Sequence, residues 1–181
     1  MQKIEIEYKI VSERLNFREI NEEDFNAVYN ILKEEEIMYA WGHGFSESET
    51  REWIKKNKVR YKSDRYSYFF VTEKKSRNFI GLIGPLIEEI DGKKYIGVAY
   101  ILDKKYWGCG YATEGLKACI NYAFDTIKAN KVIAEIRPEN IKSRKVAERA
   151  GMKIEGEFIK VYNNENMLHL IYSISKENRN K

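Results

Sequence analysis

The residues best placed to do chemistry lie in one stretch, Tyr106-Trp107-Gly108-Cys109-Gly110-Tyr111-Ala112-Thr113-Glu114-Gly115, which packs three glycines and a cysteine among aromatic rings. A strand-like run, residues 94 to 102, precedes it, and apolar residues at helical spacing follow from Ala112. At such a junction the unpaired N–H groups and the positive end of the helix attract anions, phosphate above all. A dinucleotide fingerprint would need G-x-G-x-x-G, but Thr113 fills the third position and no chain-opening βαβ unit surrounds it, so that reading fails. A thiol at a helix N-terminus can acquire a lowered pKa. Cys109, however, has no histidine near it in sequence, and its flanking glycines already account for the loop, so it reads as a small loop residue. Cys119 falls on the apolar side of the following helix and reads as core.

The elements that position this stretch follow from periodicity. Residues 14 to 20 alternate like a strand. Asn21 then caps a helix with an acidic first turn and Phe25, Val28, Ile31 and Leu32 on one face. Ser46 with Glu49 three positions later is a capping box that opens a second helix, whose apolar stripe begins at Trp53 and Ile54. Residues 66 to 73, 79 to 84 and 94 to 102 read as an antiparallel meander, with Asp91-Gly92 as the hairpin turn before the last. Ala112, Leu116, Cys119, Ile120, Ala123 and Ile127 recur at helical spacing before a short buried strand, 131 to 136, so strand, helix and strand form a parallel crossover. A shorter helix follows Asn140 and stops at Gly151. Two last strands, 153 to 162 and 167 to 174, flank a polar turn.

Composition sets the frame. The 181 residues suffice for one domain, expected over 1–175 with a polar tail at 176–181. A 33% charged, 43% hydrophobic chain is soluble and globular in type. The net charge of +4 is scattered, which disfavours a nucleic-acid partner. Two cysteines ten apart and two distant histidines, His43 and His169, form neither a zinc site nor a disulfide framework, so no metal is expected. No window approaches a membrane span or a signal peptide's apolar run, so the chain reads as cytoplasmic, with no membrane partner.

The segment Trp107 to Gly115 resembles the pyrophosphate loop of the GNAT N-acetyltransferases, whose pattern is Arg/Gln-x-x-Gly-x-Gly/Ala, and particularly the branch of ribosomal-protein N-terminal acetyltransferases. Gly110 and Ala112 fill the Gly-x-Gly/Ala positions. Trp107 stands at the first position, so main-chain N–H groups rather than a basic side chain are expected to carry the phosphates. Residues 12 to 32, 96 to 110 and 140 to 156 resemble that branch's opening strand and helix, its central strand, and its Asn-x-x-Ser helix followed by Glu-Gly. The resemblance therefore spans nearly the whole chain. It implies an α/β fold, a twisted mixed sheet of about seven strands with helices on both faces, acetyl-CoA as cosubstrate, and an enzyme that acetylates a primary amine by direct attack in a ternary complex.

The resemblance assigns the pantetheine arm to the backbone of Tyr100, Ile101 and Leu102, with the Ile101 N–H facing the thioester carbonyl. It assigns the phosphates to Trp107, Gly108, Cys109, Gly110, Tyr111, Ala112 and Thr113. Asn140 is an N-cap that in the family also reaches the cofactor, and Ser143 fills the Asn-x-x-Ser slot, where its hydroxyl contacts CoA or protonates the departing sulfur. Tyr162 stands where some relatives place a carboxylate. A phenol serves better as an acid toward thiolate than as a base toward ammonium, so the general base stays open. A site without a dedicated base suits an α-amine, with pKa near ~8, better than a lysine-type amine near ~10.4. The acceptor expected is thus a protein or peptide N-terminus. A polyamine, aminoglycoside or amino acid, or a non-catalytic CoA-binding module, are the alternatives. Glu34, Glu35 and Glu36 can recruit a cationic acceptor or simply form a solvated run on a continuing helix, and His43 can be a base or a surface-turn residue. The oligomeric state stays open between monomer and homodimer.

Overall fold

The structure, a computed structural model, describes residues 6–162 and 164–179. Residues 1–5, 163, 180 and 181, which fall in the expected domain start, the last turn and the tail, lie outside the described residues. Along the chain run β1 (Ile10–Val11), β2 (Leu15–Arg18), α1 (Phe25–Leu32), α2 (Glu47–Ser63), β3 (Phe69–Glu73), β4 (Phe79–Ile90), β5 (Lys93–Leu102), α3 (Tyr111–Tyr122), β6 (Lys131–Ile136), α4 (Ile141–Arg149), β7 (Lys153–Tyr162) and β8 (Glu165–Ser175).

The strands form one mixed sheet in the order β1-β2-β3-β4-β5-β6-β8-β7. It has eight strands rather than about seven, because β1 is a two-residue strand paired to β2, too short to show alternation in sequence. Strand β4 also runs six residues past Gly84, through Pro85. Proline lacks an N–H and is confined to places where no ladder needs one. That condition holds here, since the last pair between β3 and β4 is Phe69↔Ile83. The β4–β5 hairpin closes through Asp91 and Gly92, both at positive φ, as the Asp-Gly signal requires.

Local signals also set the helices. Asn21 and Asp24 form a capping box over a 3-10 turn that leads into α1, while Ser46 and Glu49 do the same for α2. The long helical period after Ala112 is met by α3 followed by a π turn, Ala123–Ile127. Leu116, Cys119, Ile120 and Phe124 are fully or nearly buried there. Each large apolar side chain so buried contributes about 1.5–3 kcal/mol. Complete burial pushes the Cys119 thiol far above its ordinary pKa, so it is an inert core group.

Two positions fix the working geometry. Strands β5 and β6 run parallel but pair only at Ile96↔Val132 and Gly97↔Ile133, and from Val98 onward they part. The loop from Trp107 then enters α3 with Gly108 and Gly110 at φ of 79° and 80°, a left-handed conformation that side chains disfavour.

Candidate active site

The parting strands expose backbone, and their register decides which groups. Asp103 N–H donates to Ile80 O at 3.0 Å, and β4 and β5 keep one register from Gly81↔Leu102 to Ile90↔Lys93. Antiparallel neighbours exchange hydrogen bonds at every second residue. Positions 97, 99 and 101 therefore bond to β4 as Asp103 does, and 98, 100 and 102 turn their polar groups toward β6. The Leu102 carbonyl obeys this parity, accepting from Trp107 Nε1 at 3.1 Å on the side away from β4. The expectation that the Ile101 N–H faces a thioester is thus corrected: Ile101 is committed to β4, and Tyr100 N–H takes the exposed place.

The loop presents main-chain N–H groups where its glycines raise the expectation of an anion. The first α3 bond is Glu114 N–H to Gly110 O at 3.0 Å, and among the described residues the N–H groups of Gly108, Gly110, Tyr111, Ala112 and Thr113 have no backbone partner. Cys109 is exposed and sits in this loop as a small residue. The loop is braced by Arg14 and Glu114, which sequence reasoning missed. Glu114 accepts from Ser12 Oγ at 2.7 Å, from Arg14 N at 2.7 Å and from Arg14 Nε at 2.6 Å. Arg14 also donates to Cys109 O at 3.1 Å and lies over the Tyr111 ring. Burial works against the Glu114 carboxylate, but Ser12 and Arg14 hold its pKa below the ordinary value. Trp107, in place of a basic residue, carries Lys142 Nζ 4.3 Å above its ring.

Helix α4 brings its two expected residues to the same opening. Asn140 Oδ1 accepts from Ser143 N at 3.2 Å as an N-cap. The Ser143 carbonyl accepts from the Tyr100 hydroxyl at 2.9 Å, which locks α4 to β5, and burial pushes that phenol's pKa well up. The Ser143 hydroxyl has no partner among the described residues.

Asn140, Ser143, Tyr100 and Tyr162 all line one cavity of about 760 Å³ that reaches from the parted strands to the underside of α2. Its walls carry a cluster that periodicity did not reveal. Lys160 Nζ on β7 lies 2.5 Å from Glu135 Oε2 on β6 and 3.7 Å from Glu88 Oε2 on β4. The Glu135 side chain is only 8% exposed, and its other oxygen, Oε1, is buried without a hydrogen-bond partner among the described residues. An unpartnered buried carboxylate oxygen is costly unless a ligand supplies the donor. Burial, then the neighbouring Glu135, raises the Glu88 pKa. Burial also works against the Lys160 ammonium, but Glu88 and Glu135 outweigh it and hold its pKa above that of free lysine. Gly97 makes the room, since a Cβ there would stand 2.5 Å from Glu88 Cγ. His169 lines the same cavity with its pKa lowered by burial.

Other candidates lie elsewhere. Helix α1 ends at Leu32, so it does not continue under Glu34 to Glu36; Glu36 pairs with Lys104, and none of the three lines the cavity. His43 does not line the cavity either; it bonds Glu49, which does, at 2.8 Å. Among the described residues no cluster of His, Cys, Asp or Glu is placed to hold a metal, and no helix is long and apolar enough to cross a membrane.

A parallel strand pair that parts beside a glycine loop at a helix N-terminus is the combination of this fold and site. The family described as the acetyltransferase (GNAT) domain matches residues 14–153, and the chain belongs to that family. It is 30% identical over 152 residues to the "Uncharacterized N-acetyltransferase YnaD" of Bacillus subtilis, covering 83% of this chain and 86% of that one. Its fold matches that of a GNAT-family acetyltransferase from Bacillus anthracis with a TM-score of 0.80 at 28% identity, over 93% of this chain and 98% of the other. At the level of fold alone it also resembles RimL, a ribosomal L7/L12 alpha-N-protein acetyltransferase in complex with coenzyme A (TM-score 0.76, 19% identity, 93% and 98% covered), and a spermidine N-acetyltransferase from Vibrio cholerae in complex with CoA and spermine (0.75, 20%, 93% and 99%).

Proposed function

We propose that this acetyltransferase acts in the cytoplasm, takes acetyl-CoA as donor and transfers the acetyl group by direct attack to a primary amine, the N-terminal α-amine of a protein or peptide. The observation that carries the reading is the opening between β5 and β6 onto a cavity whose floor holds Glu135 Oε1, a buried acceptor without a donor. The pantetheine arm lies along Tyr100 and Leu102, and the phosphates lie on the N–H groups of Gly108 and of Gly110 to Thr113. Arg14 and Glu114 hold that loop in place.

In this reading the acceptor's ammonium donates to Glu135 Oε1, loses its proton to the carboxylate and attacks the thioester carbon. Tyr100 N–H donates to the developing oxyanion, and one such donor is worth about 3 kcal/mol in the transition state. The C–S bond then breaks, and the second proton released by the amine nitrogen passes through Tyr162 or Ser143, both on the cavity wall, to the departing thiolate, so that the relaying hydroxyl ends as it began. An α-amine with pKa near ~8 asks much less of the base than one near ~10.4.

The test is thiol release from acetyl-CoA across free-N-terminus peptides, polyamines, aminoglycosides and amino acids, with donor binding followed by calorimetry. Turnover of peptides, with Tyr162→Phe depressing kcat far more than donor affinity, is the expected result. Absence of acetyl-CoA binding overturns the reading. Binding without turnover of any amine makes the chain a CoA-binding module instead.

A further inference from the structure

The floor of the acceptor cavity raises a question of charge. Glu88 and Glu135 stand on different strands, and Lys160 reaches both. Strand β8 separates β7 from β6, so the side chains of Lys160 and Glu135 must lean toward each other across about 10 Å of sheet. This is no default pairing of surface neighbours. Two carboxylates and one fixed ammonium leave the floor with one net negative charge, and one oxygen, Glu135 Oε1, without a donor. The walls add cations: Lys55, Lys56 and Arg60 on α2, and Arg137 beyond β6, the last paired with Glu139 at 2.7 Å. Glu52 and Glu49 also line them, but Glu49 is engaged by Ser46 N–H and His43.

We propose that Lys160 sets the charge of the acceptor: as a built-in cation shared between Glu135 and Glu88 it offsets one of the two negative charges of the floor, so the site receives a monoamine and turns polyamines away. A first ammonium finds Glu135 Oε1. A second, on the same molecule, meets Lys160 and the cationic wall, and like charges brought together in a partly dry cavity repel strongly. Without Lys160 the same floor would present two carboxylates to a diamine.

This inference rests on the amine-acetyltransferase reading above, and its test separates the two. kcat/KM is measured by thiol release for a free-N-terminus peptide without basic side chains and for spermidine, with acetyl-CoA affinity measured alongside. Wild-type protein should favour the peptide. Lys160→Met should move the ratio toward spermidine by about tenfold or more, while Lys160→Arg should keep the wild-type ratio. Lys160→Met with Glu88→Gln restores one net negative charge and should return the ratio toward wild type. If Lys160→Met fails to fold, Glu88→Gln alone, which leaves the floor neutral, should move the ratio further from spermidine. An unchanged ratio in folded, donor-binding Lys160→Met, or in Glu88→Gln, overturns the proposal, as does Lys160→Arg behaving like the methionine variant. A wild type that binds acetyl-CoA and turns over neither amine overturns the amine-acetyltransferase reading itself, and this inference with it.

Discussion

The donor end and the acceptor end of this molecule are built from different materials. At the proposed donor end the groups on offer are main-chain: the N–H groups of Gly108 and of Gly110 to Thr113, and the outward edge of β5 at Tyr100 and Leu102. At the proposed acceptor end they are side chains, Glu88, Glu135 and Lys160, contributed by three strands that are distant in sequence. Backbone recognition constrains conformation and so leaves glycines at fixed spacing. Side-chain recognition constrains only what meets in space, and it leaves single polar residues that look ordinary where they stand. One end can therefore stay fixed while the other varies, since the acceptor cluster can be rewritten without touching the loop.

Four substitutions test that division, the largest effect first. Glu135→Gln should lower kcat by about 10²–10⁴, the usual worth of a positioned acid or base, with the acetyl-CoA Kd unchanged by calorimetry. A parallel loss of donor binding would break the division between the two ends. Gly110→Val should do the reverse, raising the acetyl-CoA Kd by about 10- to 100-fold, because a side chain at a φ of 80° is strained and intrudes where backbone approaches phosphate. Arg14→Gln removes a brace and not a contact surface, so the same Kd should rise only about three- to tenfold, since its partly exposed ion pair is screened.

Glu49→Gln should leave acetyl-CoA binding intact and cost about 0.5–1 kcal/mol of stability at pH 7 through the lost α2 cap. Bonds from Ser46 and His43 hold the Glu49 pKa down at about 2. A carboxylate lowered in the folded state stabilises it above the unfolded pKa near ~4.3 and loses that contribution as pH falls. The gap in melting temperature between variant and wild type should therefore close between pH 4 and pH 2.

The same contrast explains what could be read from the sequence. The glycine loop, the Asn21 cap, the Ser46-Glu49 capping box, the Asp91-Gly92 turn and the parallel crossover each rest on patterns contiguous in sequence, and each was legible. The parity that moves the exposed N–H from Ile101 to Tyr100 depends on the register of β5 against β4, which no local signal fixes. Glu88 sits in a run that ends in a turn and reads as a solvated hairpin end, and Lys160 occupies an ordinary polar position of an alternating strand. Glu135 did leave a trace. It is the lone charge inside the apolar strand Val132 to Ile136, and a carboxylate so placed must find a cation or a ligand.

The two residue pairs that join β5 to β6 carry a mechanical consequence. They are the hydrogen-bonded seam between a panel of five strands and a panel of three. A donor laid into the gap would rivet the panels together, lengthening that seam with bonds of its own. Whatever binds only the folded chain stabilises it by mass action, by about 2.7 kcal/mol at a hundredfold excess over Kd. The melting point of this protein should then climb with acetyl-CoA concentration, and the steepest gain in amide protection should appear along Val98 to Leu102, where the seam would grow.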